Sequence, residues 1–397
     1  MIIENNKLLL IITDYGSFIN FLAELAHKIV KGENLEVHVI CSSRKIIDID
    51  SKYSFDGKYI TFHFLDIPRS FNIIEQISSS WRINQLIRTI DPRVIHIHFT
   101  TAIFTTLLLS SGRKNNIIIG TFHGLNSVVS VGLKKFVFKI IESFCFAKLD
   151  QVFVLNSPDF SSVGRFYRRK TYLLKSKGLG CDLDLFDSSR FSPSKIKELK
   201  SGFNITDQFV IGFIGRFVDF KGFDIAIRTF LKLSTRHENK IKLMLIGGFD
   251  SAHKSGLSKK EKELIIKHED IIDVGFIDDV YNYLPMMDLL LFPSRKEGLP
   301  IVVTESLAMG VPIVSFDTRG TNELLINNVN GILIEVSGNK NNQVNHFSEA
   351  ISALINDTGR LKYLKNNALL DRPNLSRSNF VDNEIEIYNK YYSNRSV

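Results

Sequence analysis

At 397 residues, 44% hydrophobic and 23% charged, the chain has an ordinary globular composition and length enough for two domains, each with a large core. No apolar run approaches the roughly 18–20 residues needed to cross a bilayer. The N-terminus enters a strand pattern without a basic start or a small-residue cleavage site, so a cytoplasmic location is expected. A net charge of +8 and a pI near 9.2 ask for an anionic partner, but the cations are scattered and no nucleic-acid-binding motif occurs, which sets nucleic acid aside.

Lys7 to Thr13 reads as an apolar strand ending at Asp14-Tyr15-Gly16-Ser17. A helix is expected over 18–30, with Phe18, Phe21, Leu22, Leu25 and Ile29 on one face. Strands are expected at 35–41 and 59–65, then a helix over 73–90 that Asp91-Pro92 breaks. Strands at 94–99 and 117–122 carry His96-Ile97-His98 and end at His123-Gly124, followed by a helix over 133–147 and a strand at 151–155. This alternation predicts a parallel sheet with helices on both faces. His96 and His98 alternate on one strand, so only one of them is expected to face the domain interior. His123, at a strand end before a turn, is suited to donate to a phosphate or sugar hydroxyl, or to act as an acid–base group. Cys41, Cys145 and Cys181 are too widely spaced for a metal site and read as reduced thiols.

The alternation restarts after a polar stretch, 188–207, holding the one proline between Pro158 and Pro285. That stretch reads as a linker. It divides an N-terminal Rossmann-like domain (1–187) from a C-terminal one (208–375), and the helix of 376–397 is expected to return to the first domain. Strands of the second sheet are expected at 210–214, 242–246, 272–276, 288–292, 312–316 and 331–336, with Asp224 and Asp279 as helix N-caps. The fold class is therefore α/β, two doubly wound Rossmann-like domains facing a central cleft. Each sheet binds ligands at the carboxyl ends of its strands. Gly16, His98, His123, Arg216, Lys221 and Glu297 all fall at such ends.

After the first strand of the second domain comes Gly215-Arg216-Phe217-Val218-Asp219-Phe220-Lys221-Gly222. Two cations in one loop ahead of a helix suit a diphosphate, Arg binding bidentately and Lys as a point charge. Two solvated surface cations would fit these residues equally well. Further on, Pro293 to Pro312 reads PSRKEGLPIVVTESLAMGVP. Pro300 sits where a helix takes its first residue, and Glu305 has Ile301, Val302, Ala308 and Met309 as its three- and four-apart neighbours. A carboxylate on an apolar face is costly unless something polar meets it. Glu297 lies eight positions earlier, in the turn where backbone N–H groups favour an anion.

Together these two stretches resemble the retaining glycosyltransferases of family 4, which have the GT-B fold. His96-Ile97-His98, Thr121-Phe122-His123-Gly124 and Gly178-Leu179-Gly180-Cys181-Asp182 resemble the branch that adds sugars to lipid-linked bacterial surface polysaccharides such as O-antigen, lipopolysaccharide and capsule. The resemblance implies a hexosyltransferase that needs neither cofactor nor metal and uses a nucleotide-diphosphate sugar as donor and a lipid-linked saccharide as acceptor. Arg216 and Lys221 would neutralise the donor diphosphate, and Glu305 would bind the ribose hydroxyls. Glu297 would lie against the transferred sugar, with Gly298 and Leu299 offering backbone N–H groups. Gly215 and Gly16 would line the phosphate site, although relatives carry a glycine pair where this chain has Gly16 alone. Gly275, Phe276 and Ile277 would line the base pocket, and His123 would approach the sugar or phosphate. Catalytic roles thus fall to Glu297, His123, Arg216 and Lys221. The rival readings are a sugar-nucleotide epimerase of the same fold and a non-catalytic sugar-nucleotide-binding partner.

Two basic clusters interleave cations with aromatics: Gly132–Lys139, and Arg165, Arg168, Arg169 and Lys170. Such segments suit peripheral contact with the anionic inner face of a membrane. A merely solvated helix face fits them as well.

Overall fold

The computed structural model describes residues 5–32, 35–43, 59–68, 72–110, 116–174, 176–250 and 253–392. The chain divides into two compact units: Met1–Lys175 with Phe380–Val397, and Ser176–Asn379.

The first unit holds strands β1 (Lys7–Asp14), β2 (Glu36–Ser42), β3 (Ile60–Phe64), β4 (Val94–His98), β5 (Ile117–Phe122), β6 (Gln151–Val154) and β7 (Thr171–Leu173). They pair in the order β3-β2-β1-β4-β5-β6-β7, every ladder parallel. The central strands are near-continuous apolar runs because helices cover both faces. Those helices are α1 (Tyr15–Phe21), α2 (Ala23–Gly32), α3 (Ile73–Ile90), α4 (Thr100–Leu108), α5 (Asn126–Val129), α6 (Gly132–Lys148) and α7 (Ser157–Ser162). The single helix expected over 18–30 is two, because Leu22 leaves helical geometry at φ −125° and ψ −10°. Asp14 caps α1 by accepting from the Ser17 N–H.

His96 and His98 are both fully buried, with ring centroids 4.2 Å apart. The expectation that only one faces inward is corrected: side chains alternate with a period of two, so residues two apart share a face.

The second unit holds β8 (Phe209–Ile214), β9 (Ile241–Ile246), β10 (Ile271–Gly275), β11 (Leu289–Phe292), β12 (Ile313–Phe316) and β13 (Gly331–Ile334). Their order is β10-β9-β8-β11-β12-β13, again all parallel. Its helices are α8 (Pro193–Ser201), α9 (Phe223–Ser234), α10 (Lys259–Lys267), α11 (Ile301–Ala308), α12 (Thr321–Leu324), α13 (Lys340–Asn356) and α14 (Thr358–Leu370). Residues 188–207, expected as a linker, belong to this unit and contain α8. Ile205 is buried in its core, and Phe191, Leu199 and Phe203 pack against that core, so the division comes earlier, at residue 175. Neither expected aspartate cap is used. Gly222 stands at the N-cap of α9, and Asp224 is buried beneath Arg228 and Lys340. Asp279 opens only a 3-10 turn and accepts from the Asn282 side chain. Pro300 is the N-cap of α11 rather than its first residue.

The last helix, α15 (Arg377–Tyr392), contributes to the first unit from Phe380 onward. Its Tyr388 Oη lies 2.6 Å from His96 Nδ1 and 3.3 Å from Glu384 Oε2, and His96 Nε2 lies 2.7 Å from Thr121 Oγ1. All four side chains are buried. Burial pushes the Glu384 carboxyl up to about 8, partly offset by the Tyr388 hydrogen bond.

Candidate functional site

In each sheet the strand order reverses once, between β1 and β4 in the first and between β8 and β11 in the second. Ligands of open parallel sheets bind at the carboxyl ends of the strands flanking such a point. In the second unit these ends are the loop 215–222 after β8 and the loop 293–300 after β11.

The two loops are bound to each other through the backbone. Arg295 N–H donates to Phe220 O at 3.0 Å, and Arg295 Nη1 donates to Asp219 O at 3.1 Å. Gly222 takes φ +73°, and a Cβ there would lie 2.0 Å from Pro293 O. Both the left-handed turn and the close approach therefore require glycine. Fixed in this way, Lys221 Nζ reaches Glu297 Oε1 at 2.6 Å, their side chains only 23% and 9% exposed. The Glu297 carbonyl accepts from Arg319 Nε at 3.1 Å. A Cβ on Gly320 would sit 2.2 Å from Gly298 O, so the loop after β12 also buttresses this turn.

Arg216 is placed differently. Its Nη1 pairs with Asp250 Oδ2 at 2.7 Å, the Arg side chain half exposed, and its guanidinium lies 5.2 Å from the Phe220 ring centroid. The two loop cations thus each hold a carboxylate, Lys221 toward β11 and Arg216 toward the loop after β9. Gly215 N–H donates to Ile246 O, and Gly247 N–H to Gly275 O, which lines up the ends of β8, β9 and β10. The Gly247-Gly248 pair was a signal that sequence reasoning left unused. Phe276 is exposed, whereas Ile277 packs on the core.

Glu305, on α11, is half-buried, and its carboxyl makes no hydrogen bond among the described residues. Burial pushes its carboxyl up to about 7, and the Arg377 charge offsets this only in part. Arg377 is a residue the sequence pattern did not single out. It is set beside Gly180 and Cys181 by a backbone bridge, Cys181 N–H to Leu375 O at 2.8 Å and Arg377 N–H to Cys181 O at 2.9 Å. Leu299 packs against Gly178 in the same unit. A carboxylate left without partners in a half-buried place is poised for polar hydroxyls.

In the first unit, His123 Nε2 is 3.2 Å from His98 Nδ1. Its ring stacks on Phe99, centroids 4.1 Å apart, and meets the edge of Phe21. Phe99 has φ +74°, an outlier for a bulky residue that marks strain at the end of β4. Burial holds the His123 imidazole neutral, lowered to about 3. Gly16 is the second residue of α1, just past its Asp14 cap. Among the described residues no group of three or more His, Cys, Asp or Glu is arranged to hold a metal ion, and no helix is long and apolar enough to cross a membrane.

Residues 195–370 match the family described as glycosyl transferases group 1, and residues 8–156 match the family described as glycosyl transferase 4-like. The capsular polysaccharide biosynthesis glycosyltransferase CapM of Staphylococcus aureus is 21% identical over 364 residues, 91% of this chain and 92% of that protein. A Campylobacter jejuni N,N'-diacetylbacillosaminyl-diphospho-undecaprenol alpha-1,3-N-acetylgalactosaminyltransferase is 22% identical over 276 residues, 70% of this chain and 69% of that one. Among solved structures, Anabaena Alr3699/HepE in complex with UDP and glucose superposes with a TM-score of 0.74 at 16% identity, covering 96% of this chain and 98% of that one.

Proposed function

We propose, because this chain belongs to the glycosyltransferases that join a 4-like and a group 1 domain in a GT-B fold, that it moves a sugar from a nucleotide-diphosphate sugar to a lipid-linked saccharide of a bacterial surface polysaccharide. The transfer would retain the anomeric configuration and use no metal. The observation that carries this reading is the Lys221–Glu297 pair, held at the strand reversal of the second unit. A cation and a carboxylate 2.6 Å apart are what a leaving diphosphate and the sugar it leaves would each engage.

In this scheme the donor diphosphate draws Lys221 from Glu297 and Arg216 from Asp250. As the sugar–phosphate bond breaks, charge grows on the leaving oxygen, where preorganised cations act most strongly. Glu297, released from Lys221, lies against the sugar, and the N–H groups of Gly298 and Leu299 are donors to its hydroxyls. Glu305 accepts from the ribose hydroxyls. Gly275, Phe276 and Ile277 line the base, and Gly16 and Gly215 approach the phosphates. The neutral imidazole of His123 offers a hydrogen-bond donor or acceptor without adding charge.

The acceptor's lipid anchor implies work at a membrane surface, on the cytoplasmic face where nucleotide sugars are made available. Val131–Ile140 is exposed apart from Phe138, and Lys134, Lys135 and Lys139 stand among its apolar side chains. That combination fits peripheral binding to anionic lipid. In the second basic cluster, Arg168 is tied to the Ser161 and Val163 carbonyls and Lys170 to the Leu149 carbonyl, which leaves Arg165 and Arg169 for lipid.

The test is product mass and anomeric configuration after incubation with a panel of nucleotide sugars and lipid-linked saccharides, with and without a chelator. A glycosylated lipid of retained configuration is expected under both conditions. Conversion of a nucleotide sugar without any acceptor would show an epimerase instead, and nucleotide-sugar binding with no turnover a non-catalytic partner.

A further inference from the structure

Helix α6 leaves its N-terminal half standing clear of the first unit, and its side chains sort into three stripes. Ile141 and Cys145 turn toward the core of the unit. Leu133, Phe136, Val137 and Ile140 form an uncovered apolar stripe, 77%, 62%, 45% and 54% exposed. The third stripe, with Lys135, Lys139 and Glu142, walls a cavity of about 330 Å³ whose lining also includes Ser127, Phe146 and Tyr167.

The chemistry of that cavity is lopsided. Lys135 and Lys139 are one helical turn apart, about 5–6 Å between Cβ atoms, and neither has an acidic partner among the described residues. Glu142, on the same stripe, is ion-paired with neither lysine; its two oxygens accept from Ser127, one from the N–H at 3.2 Å and the other from the hydroxyl. The Tyr167 phenol adds a neutral donor. The volume lies at the small end of ligand pockets, which span about 300–1,000 Å³. It suits a head group, and leaves any chain to lie outside.

We propose that this cavity binds the diphosphate head of a membrane lipid, with the lipid chain running along the Leu133–Phe136–Val137–Ile140 stripe. Two cations one turn apart match the multiple charges of a terminal diphosphate better than the single charge of a phosphodiester. The apolar stripe, centred about 130° round the same helix at 3.6 residues per turn, supplies the surface that free diphosphate would not use. The proposal rests on the reading of the protein as a transferase to lipid-linked acceptors, and it names where such an acceptor would be held.

Binding is measured on the whole protein saturated with a nucleoside diphosphate, which occupies the Lys221 site, using farnesyl diphosphate, farnesol and inorganic diphosphate as probes. Farnesyl diphosphate should bind at least tenfold more tightly than either half of the molecule. Lys135→Met with Lys139→Met should reduce it to the farnesol level, and Phe136→Ser with Ile140→Ser to the inorganic diphosphate level. All four positions are exposed, so folding is expected to survive, and circular dichroism checks it. Nucleoside diphosphate affinity should not change in any variant. If that affinity is absent from the start, the donor reading fails separately from this one. Equal binding of farnesol and farnesyl diphosphate, or no effect of the lysine pair, would overturn the head-group site. Displacement of farnesyl diphosphate by phosphatidylglycerol vesicles would overturn the lipid class and make the cavity a phospholipid site.

Discussion

Lys221 Nζ and Glu297 Oε1 are 2.6 Å apart although the residues are 76 positions apart in sequence. They stand on the loops of two hydrogen-bonded strands, β8 and β11, with side chains only 23% and 9% exposed. A pair this enclosed is expensive to break from one side, because the remaining charge is left without compensation. In the proposed scheme, a diphosphate that replaces Glu297 at Lys221 would free a carboxylate at the moment it binds and so link donor binding to the state of Glu297.

Lys221→Ala and Arg216→Ala should each lower turnover by on the order of 10²–10³, and affect donor affinity less. In the proposed scheme both cations serve one diphosphate, so the double variant should be less damaged than the product of the singles. Steady-state kinetics with separate donor dissociation constants decide this. Intact turnover with only a raised KM would reduce both residues to holding the donor.

Glu305→Gln should loosen nucleoside diphosphate binding while changing the pH dependence of stability. Burial raises the carboxyl from 4.5 to about 7, so the folded state holds its proton more tightly than the unfolded state does. The stability this brings is complete below pH 4.5 and lost as the pH rises through about 7. By pH 8 the native protein bears most of a cost of up to about 3 kcal/mol that the glutamine variant lacks. Denaturation at pH 5 and pH 8 should show the variant gaining relative to the native protein at the higher pH. Calorimetric titration should show it losing charge-assisted bonds to ribose worth about 1.5–3 kcal/mol. Unchanged affinity would make Glu305 a structural residue.

His123 should leave no mark on the pH–rate profile between pH 5 and 8. Its imidazole is lowered to about 3 by burial and stays neutral throughout that range. His123→Gln and His123→Ala should lower kcat/KM without reshaping the curve. Loss of an acidic limb in either variant would show that the native His123 titrates there.

Tyr388→Phe removes the 2.6 Å contact to His96 and the 3.3 Å contact to Glu384. A polar group buried without its partner costs about 1–3 kcal/mol, so the midpoint of urea unfolding should fall with little change in slope. An unchanged midpoint would mean that the remaining groups, His96, Thr121 and Glu384, satisfy one another without the phenol.

The protein should float with anionic vesicles at low salt and be released as salt rises. Each lysine near such a surface contributes about 1 kcal/mol, decaying within a Debye length. Lys134→Ala with Lys139→Ala should shift half-release to lower salt. Equal binding to neutral vesicles would assign the attachment to the apolar stripe of α6 alone.

Much of this was legible in the sequence because parallel strands and their helices write strong periodic patterns. The helix over 73–90 and the ends of most strands were placed from pattern alone, and so was the loop carrying Arg216 and Lys221. The pairing of Lys221 with Glu297 was not, since it depends on which strands become neighbours. Nor was the Asp250 partner of Arg216, which comes from the loop after β9. Residues 188–207 were misread because a polar surface helix, α8, has the composition of a linker while Ile205 and its neighbours anchor it. Asp224 was misread as a cap because nothing local tells a buried ion-paired aspartate from one at a helix start. His96 and His98 were misread through an error of period, although the rule of two was available.

The contribution of α15 to the first unit has a consequence for how the chain is made. The partners of His96, Tyr388 and Glu384, leave the ribosome roughly 200 residues after the rest of that unit. At about 5–20 residues per second, this is a delay of roughly 10–40 s. Throughout it the sheet around β4 and β5 exists without its last helix, and His96 without its Tyr388 and Glu384 partners, while the entire second unit is synthesised and can fold. The half of the protein translated first is therefore the half completed last, and its dependence on chaperones should be set by translation speed across residues 176–379.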